Sequence, residues 1–215
     1  MDLILQFVQF VLHLDVHLTE LVARYGVLIY AILFVIVFCE TGLVVTPFLP
    51  GDSLLFAAGA IAALGSMNPW ILGVVLIAAA ILGNTSNYWI GRYIGPRVFQ
   101  WEKSRWFNRR ALDEAHAFYG KYGPVALTIA RFMPIVRTFA PFAAGVAAMR
   151  HATFQFYSVL GGVLWVAGFL ALGYFFGNIP VVKANLALVM VGVIVVSLLP
   201  LVWAAFAKRT ERGVR

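Results

Sequence analysis

Four ionisable side chains stand inside otherwise apolar, proline- and glycine-broken stretches of this chain: Glu40, Asp52, Arg131 and Arg137. The two acids flank Thr-Pro-Phe-Leu-Pro-Gly (46–51), and the two arginines flank Phe-Met-Pro-Ile-Val (132–136). Paired carboxylates can carry protons or bind cations. Paired guanidiniums stay charged and grip phosphate in bidentate fashion. Burial opposes the charged form of a carboxylate, whereas a nearby arginine favours it. The competition between these influences could make Glu40 or Asp52 a proton carrier. The purely structural alternative is that the acids pair with the arginines and lock two segments together. Placing a charge at membrane depth costs about 2.5–3.5 kcal/mol on the insertion scale, and such residues usually mark a substrate or ion path. Arg131 and Arg137 would face different directions on a straight helix, so a bend near Pro134 must bring them together.

Composition says what must surround these charges. The chain has 215 residues, of which 62% are hydrophobic and 12% charged, with a mean hydropathy of +0.91. A soluble domain carries roughly 25% charged residues. The chain is therefore expected to be an all-α integral membrane protein, with one domain over residues 1–207 and a basic tail over 208–215. Seven of the sixteen Lys/Arg lie between Arg92 and Lys121, and four more in Lys208, Arg209, Arg212 and Arg215. Such blocks keep their loops in the cytoplasm, and no nucleic-acid module accompanies them. Cys39 is the single cysteine, which excludes an intrachain disulfide and a cysteine-based zinc site. His13 and His17 around Asp15 read as interfacial polar residues, so neither metal nor cofactor is expected. The N-terminus lacks a basic n-region, which argues against a cleaved signal peptide. No Walker loop, Gly-x-Ser-x-Gly elbow or His-Glu-x-x-His motif is present, so a transporter is expected rather than an ATP-driven pump or a hydrolase.

The positioning elements follow from hydropathy and from helix breakers. Residues 1–14 suit an interfacial helix, and Leu21 to Cys39 is a first span ending at Glu40. Pro47, Pro50 and Gly51 prevent a straight helix through 41–65. Ser53 to Leu64 could form a helix of about 18 Å, short of the ~30 Å hydrocarbon core. Asp52 is its expected N-cap. A half-length apolar segment of this kind reads as re-entrant, its free backbone groups facing protein or water. Asn68-Pro69 starts a span to Gly91, with Asn as cap and Pro at the first helical position. Asn84, Ser86 and Asn87 form a polar stripe near its far end. The basic connection holds a surface helix over 108–119. Pro124 to Met149 repeats the anomaly: Pro134, Pro141 and Gly145 break an apolar run. Phe154 to Phe176 and Leu186 to Ala207 are ordinary spans.

The charge blocks orient these pieces. The 92–121 loop and the tail are cytoplasmic, which puts both termini inside. The first re-entrant hairpin then opens outside and the second opens to the cytoplasm. Phe48-Leu49-Pro50 before Ala58-Gly59-Ala60 is echoed by Phe132-Met133-Pro134 before Ala144-Gly145-Val146. Two oppositely oriented hairpins suit an inverted-repeat, transporter-like helical bundle whose broken helices meet near the midplane. The four charges would then form one site.

Four stretches resemble the DedA family, whose members are also called SNARE-associated or VTT-domain proteins. They are Phe-Cys-Glu-Thr-Gly (38–42), Pro-Phe-Leu-Pro-Gly-Asp-Ser-Leu-Leu-Phe-Ala-Ala-Gly (47–59), Asn-Tyr-Trp-Ile-Gly-Arg (87–92) and Ala-Arg-Phe-Met-Pro-Ile-Val-Arg-Thr-Phe-Ala-Pro-Phe-Ala-Ala-Gly (130–145). The resemblance covers about residues 1–205. It implies a multi-pass protein of the bacterial inner membrane with two facing re-entrant hairpins. It also implies translocation of undecaprenyl phosphate, and the buried acids suggest coupling of that movement to protons or another cation. Uncoupled phospholipid scrambling, as among eukaryotic relatives, is the alternative. The family's functional arginines match Arg131 and Arg137, expected to bind the lipid phosphate, and its functional acids match Glu40 and Asp52. Membrane phospholipids and a second copy of the chain are the other candidate partners. The family often has an acid where this chain has Asn84, which puts a proton relay at that position in question.

Overall fold

A computed structural model describes residues 20–21, 24–43, 51–94, 122–177, 179–180 and 192. The described residues form helices and turns, with no strand among them. Six α-helices position the site. They are α1 (Leu28–Gly42), α2 (Gly51–Ala63), α3 (Pro69–Ile94), α4 (Ala126–Ala130), α5 (Pro134–Val146) and α6 (His151–Gly177). A 3₁₀ turn over Gly123–Val125 precedes α4.

Two of these helices, α3 with 26 residues and α6 with 27, are long and apolar enough to cross a membrane. At 1.5 Å per residue each runs roughly 40 Å, beyond the ~30 Å hydrocarbon thickness. By contrast α2 and α5 have 13 residues each, roughly 20 Å by the same rise.

Local sequence explains several boundaries. The side-chain oxygen of Asn68 accepts the backbone N–H of Trp70 (3.0 Å) and of Ile71 (3.2 Å), capping α3. Pro69 occupies the first helical position, where its missing N–H is not needed. Met133, forced toward extended backbone by the proline that follows, has φ −117° and ψ 106° and separates α4 from α5. At the far end of α5 the N–H of Met149 bonds the Ala144 carbonyl and that of Ala148 bonds the Gly145 carbonyl, each at 3.0 Å. This closing turn holds Ala148 at φ +54°, a conformation that glycine usually takes.

Several boundaries differ from the sequence expectation. Gly26, at φ +51°, interrupts the expected first span, and α1 begins at Leu28 and continues past Glu40 to Gly42. Pro134 starts α5 rather than interrupting it, and Pro141 lies inside it without ending it. Pro141 removes one in-helix hydrogen bond, and α5 runs on to Val146. Gly145 is a contact glycine in the last turn of α5 rather than a break. Asp52 is the second residue of α2, not its cap. Pro47, Pro50, residues 1–14, the 108–119 helix and all of the 186–207 span but residue 192 lie outside the described residues.

The chain divides into two compact units. The first takes residues up to Val37, Phe48–Ala79 and Val163–Val196. Here α2 packs tightly on the second half of α6: a Cβ at Gly59 would strike the Leu170 backbone, and one at Gly173 the Phe56 carbonyl. Leu55, Leu72, Leu76 and Trp165 are fully buried in this unit. The second unit takes Phe38–Pro47, Ala80–Gly162 and Ser197–Arg215. Within it α5 packs on the second half of α3, where a Cβ at Gly91 would strike the Phe142 carbonyl and one at Gly145 the Tyr88 carbonyl. Gly42 and Gly83 bring α1 and α3 together, since a Cβ at Gly42 would lie 3.2 Å from the Gly83 Cα. The apolar cluster of this unit is built from Tyr88, Leu127, Ala130, Ala140, Ala144 and Phe154. The two echoed motifs thus play the same part in their own units, with Gly59 and Gly145 each seating a 13-residue helix on a long one.

Candidate functional site

Arg137 lies in the first turn of α5. A cation is disfavoured there, because the N-terminal end of a helix carries partial positive charge. Glu40, in the last turns of α1, offsets that cost. The Nη2 of Arg137 donates to Glu40 Oε1 at 2.5 Å, and their side chains are 10% and 1% exposed. The pair falls wholly within the second unit.

Arg131 ends the short α4, on the other side of the break from Arg137. It is 5% exposed, and its Nη2 donates to the Ser158 carbonyl at 3.4 Å. The guanidinium lies over a glycine pair in α6: a Cβ at Gly162 would stand 3.5 Å from Cζ, Nη1 and Nη2. Arg131 is close enough to Arg137 and Glu40 for both charges to act on it. One acid and two arginines therefore share a buried site carrying one net positive charge, a setting that can hold an anion.

Neutral amides support this group. Asn84, 6% exposed, donates to Ser158 Oγ at 3.1 Å, on the residue whose carbonyl receives Arg131. A carboxamide cannot relay a proton, so Asn84 ties α3 to α6 as a neutral group. Beside it Gln155 Nε2 donates to Thr85 Oγ1 at 3.1 Å. Asn87 is fully buried. Its Nδ2 donates to the Thr41 carbonyl at 3.2 Å and the Thr138 carbonyl at 2.9 Å. Thr41 follows Glu40 and Thr138 follows Arg137, so one amide fixes the backbone next to both members of the ion pair.

Asp52 belongs to the first unit, in the first turn of α2, where the helix dipole favours an anion. Trp165 Nε1 donates to Asp52 Oδ1 at 2.8 Å. Trp165 is 1% exposed and Asp52 9%. Of the four sequence-derived charges, then, Glu40, Arg131 and Arg137 are brought together in one unit, while Asp52 keeps its own environment in the other.

Sequence reasoning did not single out Trp165, Ser158 or the Gly161–Gly162 pair, and it left Asn87 in a polar stripe without a role. Trp165 offered a signal: it stands mid-span rather than near an interface, and a buried indole N–H needs an acceptor. Ser158 and the glycines gave none, because small residues in a span serve packing in general. Among the described residues no group of His, Cys, Asp or Glu could hold a metal ion.

Comparison with known proteins matches the VTT domain model over residues 49–175. The chain is 56% identical over 202 residues to Protein DedA of Escherichia coli K12, covering 93% of this chain and 92% of that protein. It is 44% identical over 185 residues to an uncharacterized membrane protein of Mycobacterium tuberculosis, covering 84% and 81%. It is 39% identical over 158 residues to the inner membrane protein YqjA of E. coli K12, covering 72% and 70%. No solved structure matches. With its helices, its buried charges and this coverage of full-length relatives, the chain belongs to the DedA family of membrane proteins and carries a VTT domain.

Proposed function

We propose that this protein is a lipid transporter of the bacterial inner membrane that translocates undecaprenyl phosphate, coupled to protons. The observation that carries this reading is the buried Glu40–Arg137 pair with Arg131 beside it. Arginine binds phosphate through several directed donors, and the isoprenoid tail would stay in the bilayer. The two 13-residue helices are read as the inner arms of re-entrant hairpins, one open to each side, with both chain termini in the cytoplasm. Asp52, held by Trp165, would act on the proton path with Glu40. No nucleophile with an adjacent base accompanies the charges among the described residues, and transport is favoured over lipid hydrolysis.

Charge counting supports proton coupling. With Glu40 ionised the trio carries one positive charge, so a phosphate dianion would leave the buried site negative. Neutrality returns if one proton enters with the phosphate, on Glu40 or on the phosphate itself. Uncompensated charge in a low-dielectric site is costly, so one proton should accompany each dianion. The test is transport in proteoliposomes under an imposed pH gradient. The expected result is that reversing the gradient reverses net movement of undecaprenyl phosphate. Indifference to the gradient, with equal movement of unrelated phospholipids in a headgroup competition, would replace this reading by an uncoupled scramblase.

A further inference from the structure

Asn87 has a second half that the clamp does not use. Its Nδ2 faces two backbone carbonyls, and carbonyl oxygens only accept. A flipped amide would set oxygen against oxygen twice, so the orientation is fixed by the partners. Oδ1 therefore points the other way, and among the described residues it has no hydrogen-bond partner although Asn87 is 0% exposed. A buried acceptor left unmade is costly, and natural proteins seldom keep one without a use. The charged and titratable side chains on the surrounding elements are Tyr30, Cys39 and Glu40 on α1, Tyr88, Arg92 and Tyr93 on α3, Arg137 on α5 with Arg131 just before it, and His151, Tyr157 and Tyr174 on α6.

We propose that Asn87 Oδ1 is the acceptor for the P–OH of a monoprotonated phosphate monoester, making Asn87 the residue that selects monoester lipids over phosphodiester lipids. This rests on the transport reading and deepens it. A phosphate monoester has a second ionisation near pH 6, about that of phosphorylated side chains. Its monoanion offers one P–OH donor together with oxygens for Arg131 and Arg137. A phosphodiester carries the same single charge but no such proton, and would leave Oδ1 unmet. The proton required for neutrality then travels on the lipid, with Glu40 still ionised on Arg137. Asn87 is sealed from solvent here, so the phosphate reaches it when the site opens.

The test uses the full chain in proteoliposomes with two probes, a short-chain polyprenyl phosphate and its methyl phosphodiester. The wild type should move the monoester roughly tenfold faster or more at pH 6, the factor expected for one hydrogen bond to a charged group. Asn87→Ala should bring that ratio close to one. If it slows both probes equally and leaves the ratio unchanged, Asn87 is only a clamp, its oxygen serves a structural water, and the inference is overturned. Asn87→Ala could fail to fold, so a second measurement uses the wild type alone. Monoester transport should fall as pH rises through the ionisation of the lipid phosphate. The fall should move to lower pH for a difluoromethylphosphonate analogue, which ionises at lower pH. A profile that stays in place for the analogue puts the proton on the protein and overturns the proposal. If the wild type moves neither probe, the transport reading itself fails, and this outcome is distinct from loss of selectivity.

Discussion

At the scale of single residues, the site is governed by what each charge would cost alone. Glu40 is 1% exposed and Arg137 10% at their side chains, so removing one partner leaves the other ionised away from water. Arg137→Ala should destabilise the fold by about 3–5 kcal/mol, the usual consequence of breaking a buried ion pair. Adding Glu40→Gln should recover part of that loss, because the uncompensated charge is gone. Thermal unfolding of the two variants in detergent checks this, and an Arg137→Ala protein as stable as wild type would contradict it. Trp165 makes a separable contribution in the other unit. Trp165→Phe keeps most of the ring but deletes the N–H given to Asp52. It should cost about 1.5–3 kcal/mol, the value of a hydrogen bond to a charged group. Trp165→Ala should cost about 3–5 kcal/mol, since it also opens a cavity. Equal melting temperatures for Trp165→Phe and wild type would show that the hydrogen bond carries no stability.

At the scale of elements, the short helices are placed by glycines rather than by large apolar ridges. A Cβ at Gly145 would strike the Tyr88 carbonyl and lie 2.7 Å from the Arg92 backbone N. Backbone cannot rotate away, so Gly145→Ala should cost about 1–3 kcal/mol as an overpacked contact. Gly168 meets nothing within 4 Å. Gly168→Ala should therefore be neutral or stabilise α6 by up to about 1 kcal/mol through helix propensity. Comparing the two melting temperatures checks the contact assignment, and equal effects would contradict it. Much of this layer was legible in the sequence. Asn68-Pro69 announced the start of α3 and the stretch around Pro134 announced a break, whereas Gly59 and Gly145 stood out in the Ala-Gly echo without their packing role. The actual role of Pro141 was not legible, because whether a proline ends a helix depends on what surrounds the hydrogen bond it removes. The start of α1 was likewise hidden, since Gly26 reads as an ordinary small residue in an apolar run. The Glu40–Arg137 pairing was legible only as one of several pairings. Which arginine takes the acid depends on the crossing of α1, α3 and α5, set by Gly42, Gly83 and Asn87.

At the scale of the whole molecule, two units each carry a 13-residue helix with an ionisable residue in its first turn, Asp52 in α2 and Arg137 in α5. That repetition is what a protein using one element twice would present, and it fits the inverted-repeat reading proposed above. The proposed proton coupling belongs to this scale, because net charge in the buried site would have to balance over a full transport cycle. Glu40→Gln removes the only acid of the trio, leaving two positive charges that a phosphate dianion neutralises without a proton. This variant should keep phosphate binding while losing the response of transport to an imposed pH gradient, measured in the same proteoliposomes. Retention of that response would show that Glu40 does not set the charge balance of the site. The central claim is that the two arginines hold the phosphate of a translocated lipid. It is tested most directly by translocation of undecaprenyl phosphate in proteoliposomes by the wild type and by Arg131→Ala and Arg137→Ala proteins confirmed as folded. The account predicts translocation by the wild type and a fall of at least roughly tenfold in each variant, the loss expected for one charged phosphate contact. Unchanged translocation in both variants would contradict it.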